Sequence, residues 1–298
     1  MRALLLLAIT LAISVVHPLV LIGVPFVLMM LVTGLQRPAA FGLTLLVAVL
    51  VVASMDGTPF GYVERAWALL VGGGFTVLTL VRPAMRFIAR ALGAVAVAMA
   101  AAGALVVGQG RWVVLDWLME DRMRQGVAAA LDMLRQIRGG EGLPPSVVAA
   151  VQETVRLQAT VFPAVLALAS LSALGVAWWS YVRLTTGRDH GLRPLREFRF
   201  NDHLVWVFIG GLALTVLQWG GELARVGTNA VVFMGALYAV RGAAVVMFLS
   251  GGGLSALSYM LVAAGLVFMP PLVMAGALVI GLGDTWFDVR GRAAARAA

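Results

Sequence analysis

Residues 3–35 carry no charged side chain, and apolar runs of this kind recur along the chain. They fall at about 3–16, 19–35, 38–54, 63–81, 91–109, 158–182, 203–219, 228–249 and 254–282. A membrane span takes roughly 20 apolar residues, and in hydrocarbon a helix satisfies its own backbone polar groups. A folded soluble domain must turn much of its surface to water. A chain that is 61% hydrophobic and 12% charged has too few polar side chains for that. The expected fold class is therefore all-α: a polytopic transmembrane helical bundle of about 8–10 membrane segments. Residues 1–298 are read as a single integral membrane domain.

The first run is too long for one straight helix. His17-Pro18 and Pro25 are its expected breaks, because proline removes a backbone donor and disfavours helix in the residue before it. Met269-Pro270-Pro271 divides the last run in the same way. Met1-Arg2-Ala3, followed by Leu4 to Val16, is read as retained membrane helix, since no polar stretch marks a processing site.

All 22 basic residues are arginine, and the net charge is +8. One set of connections holds Arg2, Arg37, Arg82, Arg86, Arg90, Arg183, Arg188, Arg193, Arg196 and Arg199, against Asp189, Glu197 and Asp202. The opposite set, with Asp56 through Glu222, is balanced between arginines and carboxylates. Arginine-rich short loops stay on the cytoplasmic side. This places the N-terminus and the 184–202 loop inside a bacterial inner membrane crossed several times. Arg290, Arg292 and Arg296 belong on the same side. The arginines form no single stripe, so nucleic acid is not an expected partner.

Residues 111–157 form the one long polar segment. Trp112, Leu115, Met119, Met123, Val127, Ala130, Leu134 and Ile137 recur at helical spacing, and Glu120 with Arg124 stand four apart. Gly139 to Gly142 stop that helix and Pro144-Pro145 start another, which continues into the membrane with Pro163 as a kink. The expectation is an extracytoplasmic amphipathic helical hairpin over 111–157.

No catalytic centre is legible. Cysteine and lysine are absent, which removes thiolate and Schiff-base chemistry. His17, His190 and His203 are scattered, with no spacing suited to zinc, and His17 is read as a helix-break residue. Gly72-Gly73-Gly74 and Gly251-Gly252-Gly253 lack the context of a phosphate loop and read as close helix packing and a turn. No cofactor, metal or catalytic residue is assigned, and the chain is not expected to be an enzyme.

Ionisable groups at membrane depth are costly unless they face protein or water. Arg241 is the clearest, with Asn229 on the same run and Trp219 and Glu222 near the outer end of the preceding helix. Two readings stand: Arg241 pairs internally with a carboxylate such as Glu222, or it lines a polar cavity. Asp284, with Trp286 and Arg290, reads as an anchored helix end at the interface. The ligand or pathway candidates are Arg241, Asn229, Trp219, Glu222 and Asp284.

Three stretches carry a family resemblance: Phe162-Pro163-Ala164; Leu195 to Phe200 with the helix from Leu204 and then Asn229 to Leu249; and Gly281 to Arg290. In these the sequence resembles the YybS-like family of bacterial integral membrane proteins, defined as a domain of unknown function. That family is thought to be distantly similar to substrate-binding subunits of energy-coupling-factor transporters and to the cell-shape protein MreD. The resemblance implies a compact bundle with a small-molecule pocket near one face. The sequence departs from the family pattern in having Arg241 where glutamine is more usual, and Asn201-Asp202-His203 where a proline-bearing stretch is. The expected role is a small-molecule-binding or transport-related membrane subunit; the alternative is a non-enzymatic scaffold or assembly factor. The expected partners are the lipid bilayer and either a small-molecule ligand or other membrane proteins.

Overall fold

A computed structural model describes residues 2–13, 16–33, 38–54, 57–108, 113–114, 117–122, 124, 127–128, 145–186, 192–217, 221–251 and 255–297. Among these there is no strand. The chain divides into two compact units, Ala3–Asp189 and His190–Ala298.

The first unit contains α1 (Arg2–Ile13), α2 (Pro18–Thr33), α3 (Pro38–Ala53), α4 (Pro59–Val81), α5 (Phe87–Gly108) and α6 (Pro145–Thr186). The break between α1 and α2 falls at His17-Pro18, as proline chemistry requires. The carbonyl of His17 accepts from the amides of Val20 and Leu21, and its own amide donates to Glu64 Oε1 at 3.0 Å. Pro25 does not break the chain; it lies inside α2. There it meets Gly72 of α4, where an added Cβ would stand 3.1 Å from the Pro25 backbone. The Gly72-Gly73-Gly74 run thus serves close helix packing at its first glycine. α6 continues without interruption through Pro163. Residues 117–122 are helical, Met119 is buried and Arg124 pairs with Glu120. The turn expected at Gly139–Gly142, and most of the expected hairpin, lie outside the described residues.

The buried hydroxyls in the core of this unit, Thr10, Thr44, Thr76, Ser170 and Ser172, each have a hydrogen-bond partner. Trp67 Nε1 donates to Ser170 Oγ at 2.9 Å, and Ser170 Oγ donates to the carbonyl of Leu166. Both residues are buried. Ser170→Ala would leave the indole N–H without an acceptor, at a cost of about 1–3 kcal/mol. A lowered Tm in detergent is the expected result. In a Trp67→Phe background the same change should cost almost nothing.

The second unit contains α7 (Val205–Val216), α8 (Gly221–Leu249), α9 (Ala256–Phe268), α10 (Pro270–Phe287) and α11 (Val289–Ala297), preceded by short 3-10 turns at Leu195–Glu197 and Asp202–Leu204. α9 ends before Met269 and α10 starts at Pro270, so the last apolar run is indeed split. α8 is the central element and packs against α7 and α10.

Among the described residues, five helical stretches are by length and composition apolar enough to cross a membrane: Pro59–Val81, Phe87–Leu105, Glu153–Thr185, Gly221–Leu249 and Pro270–Phe287. Pro18–Thr33, Pro38–Ala53, Asp202–Val216 and Ala256–Phe268 are shorter apolar helices. Their outward faces carry Leu45, Leu46 and Leu50 on α3 and Met260, Leu261 and Phe268 on α9, all exposed. Continuous apolar surface of this kind is stable in lipid and a liability in water.

Candidate functional site

The polar centre of the second unit grows out of a backbone contact. Gly242 of α8 and Gly281 of α10 face each other so closely that a methyl group on either would overlap a main-chain carbonyl, that of Ala277 or of Tyr238 respectively. Small residues are what allow two membrane helices to approach this far. Arg241 adjoins the first glycine, and Asp284 follows the second by less than one turn. The close approach therefore delivers the two side chains to each other.

Arg241 is 2% exposed and Asp284 is 1% exposed. Arg241 Nε donates to Asp284 Oδ2 at 3.0 Å, and its Nη1 donates to Asp202 Oδ1 at 2.5 Å. The guanidinium also lies 5.5 Å from the ring centroid of Phe200. Asp284 receives a second cation, since Arg290 Nη2 donates to its Oδ2 at 2.8 Å. Arg290 Nη1 then donates to the carbonyls of Arg196 and Phe198, at 3.2 and 3.0 Å. One carboxylate thus bridges two buried guanidiniums. Their remaining donors hold the 196–202 segment through two carbonyls and Asp202.

Asp288 makes this geometry possible. It takes the left-handed conformation, φ 40°, at the junction of α10 and α11. Among non-glycine residues, aspartate and asparagine tolerate that region best. The reversal turns Arg290 back onto Asp284, while Asp288 Oδ1 accepts from Arg199 Nη2 at 2.8 Å. Two pairs in the cluster differ in their surroundings. Asp284 is enclosed, whereas Asp202 is 61% exposed, so the network runs from the unit's interior to its surface.

Of the sequence candidates, Arg241 and Asp284 come together and the others do not. Glu222 is exposed in the first turn of α8, about 28 Å along the helix from Arg241 at 1.5 Å per residue. It is therefore not the carboxylate that pairs with Arg241; Asp284 and Asp202 are. Asn229 is buried on the same helix, about 18 Å away, and donates to the carbonyl of Arg225. Trp219 lies outside the described residues. Asp284 itself is a buried bridge, whereas Trp286 beside it is exposed. Arg290 had been grouped with Asp284, but Asp202 and the carbonyls of Arg196 and Phe198 were not foreseen as members of the network. Gly242 and Gly281, each close in sequence to a membrane-depth charge, were the available signal. Among the described residues no group of three His, Asp or Glu side chains is arranged to hold a metal.

Two of the three stretches that carried the resemblance, the one with Leu195–Phe200 and Arg241-Gly242 and the one ending in Asp284–Arg290, converge in this network. Arg241 and Asp202 are the two halves of one ion pair. The apolar helices and this internally compensated polar core define a multi-pass α-helical membrane protein. Residues 2–285 match the sequence model of a family described as predicted membrane protein (DUF2232), and the chain belongs to that family. Comparison with curated proteins gave no match, and neither did comparison with solved structures.

Proposed function

We propose that the chain is a non-enzymatic membrane scaffold that assembles protein partners, with its second unit as the docking platform. The supporting observation is the environment of Arg241. Its guanidinium is engaged by Asp284 and Asp202, and a charge already compensated by two carboxylates is a poor receptor for a further ligand. Arg290 spends its donors on the carbonyls of Arg196 and Phe198. The network therefore fixes the backbone of the 192–204 segment while Arg193 and Arg196 stay exposed. A rigid segment displaying arginines suits recognition of an acidic protein surface. Of the two distant similarities that the YybS-like resemblance implies, the one to MreD agrees with this reading by analogy and the one to transporter substrate-binding subunits does not.

The absence of cysteine makes the test direct. Single-cysteine variants at Arg193 and Arg196, carrying a photo-crosslinker in native membranes, should give one discrete protein adduct. The adduct should disappear when Asp284→Asn releases the segment. Should neither position yield a protein adduct while a vitamin, nucleobase or amino acid raises the Tm of the purified protein, the chain is a small-molecule-binding subunit instead.

A further inference from the structure

Three arginines are buried among the described residues, Arg90, Arg241 and Arg290, at 5%, 2% and 3% exposure. Two of them end on carboxylates. Arg90, in the first turn of α5, does not. Its Nε is buried without a hydrogen-bond partner, and no carboxylate among the described residues forms an ion pair with it. What it has instead is aromatic. The guanidinium carbon lies 4.5 Å from the ring centroid of Trp178 and 5.8 Å from that of Phe75. Phe87 stacks on Trp178 at 6.4 Å and closes the same wall.

We infer that Arg90 is the core of a binding site for a phosphate-type oxyanion at the start of α5. Stacking on an aromatic face compensates part of a cation's charge but uses none of its N–H donors, which point outward in the guanidinium plane. That planar fork matches two oxygens of a phosphate. The turn that leads into α5 is basic among the described residues. Arg82 and Arg86 stand exposed just before the helix, and the start of a helix is itself the positive end of its dipole, although the Ala89 and Arg90 amides already donate to the Arg86 carbonyl. Loop arginines that set insertion topology account for Arg82 and Arg86, which face outward. They do not account for burying a third arginine at the wrong end of a helix dipole without an anion. A bound oxyanion supplies the missing charge. Its chemistry is shared by an anionic lipid headgroup and a soluble phosphate.

The test uses the full-length protein in zwitterionic detergent, with Tm as the readout. One arm adds vesicle lipid of equal parts phosphatidylcholine and phosphatidylglycerol, against phosphatidylcholine alone. The other adds inorganic phosphate, against chloride at the same ionic strength. A rise with phosphatidylglycerol alone identifies a lipid headgroup, and a rise with inorganic phosphate identifies a soluble source. Arg90→Gln should weaken the response at least about tenfold, as expected for losing charge-assisted hydrogen bonds, while Arg292→Gln should leave it intact. If Arg90→Gln does not fold, Arg90→Lys keeps the charge against the aromatic rings but lacks the planar fork, and should also bind more weakly. No rise with either probe, or an undiminished rise in the Arg90 variants, overturns the site.

Discussion

Asp284→Asn is expected to be the most damaging single polar substitution in the chain. The carboxylate bridges Arg241 and Arg290 inside the second unit, and asparagine fills the same volume without the charge. Arg241 would keep only Asp202, which is largely exposed, and Arg290 would keep only two carbonyls. Removing one member of a buried ion pair costs about 3–5 kcal/mol, because the remaining charge stays desolvated. At about 2–4 °C per kcal/mol for a chain of this size, the Tm should fall by about 10 °C or more. Glu222→Gln, which removes an exposed carboxylate on α8, should change it by no more than about 0.5 kcal/mol. A melt of Asp284→Asn that overlays the wild type would show that the bridge contributes nothing. Arg241→Met in the Asp284→Asn background should restore part of the loss, since the uncompensated cation is then gone.

Gly281→Val is the second large effect. Even a methyl at Gly281 overlaps the carbonyl of Tyr238 and comes within 2.9 Å of the Gly242 amide. The obstacle is main chain, so no rotamer change relieves it. Overpacking in a fitted core costs about 1–3 kcal/mol and sometimes more, and valine at a backbone contact belongs at the upper end. Because the same contact seats Arg241 on Asp284, separating the helices also weakens the ion bridge. Gly281→Ala and Asp284→Asn should therefore be less than additive. Gly276 on the same helix has open space around an added Cβ. Gly276→Ala should be neutral or stabilising by about 0.5–1 kcal/mol, the ordinary helix preference. Equal tolerance of alanine at positions 276 and 281 would refute the close-contact account.

Several features were readable along the chain because they depend on near neighbours. Hydropathy located the apolar helices, and Pro18 and Pro270 located two breaks, since a proline acts on the residues beside it. Pro25 shows the limit of that rule: glycine on a neighbouring helix accommodates it, and α2 continues. Arg241 was recognisable as an unusual charge at membrane depth and Asp284 as part of an interfacial helix end, but their partnership was not, and Glu222 was the nearer carboxylate in sequence. Arg90 read as one loop arginine among several.

The sequence by itself determined the medium, the helical class and the places where helices must stop, because each follows from composition and from side chains adjacent in the chain. The tertiary structure decided which charges meet. Two glycines bring the backbones of α8 and α10 into contact, and residues 43 positions apart then share a hydrogen bond. A distance of that kind is set by packing between helices, and no periodicity within either one encodes it.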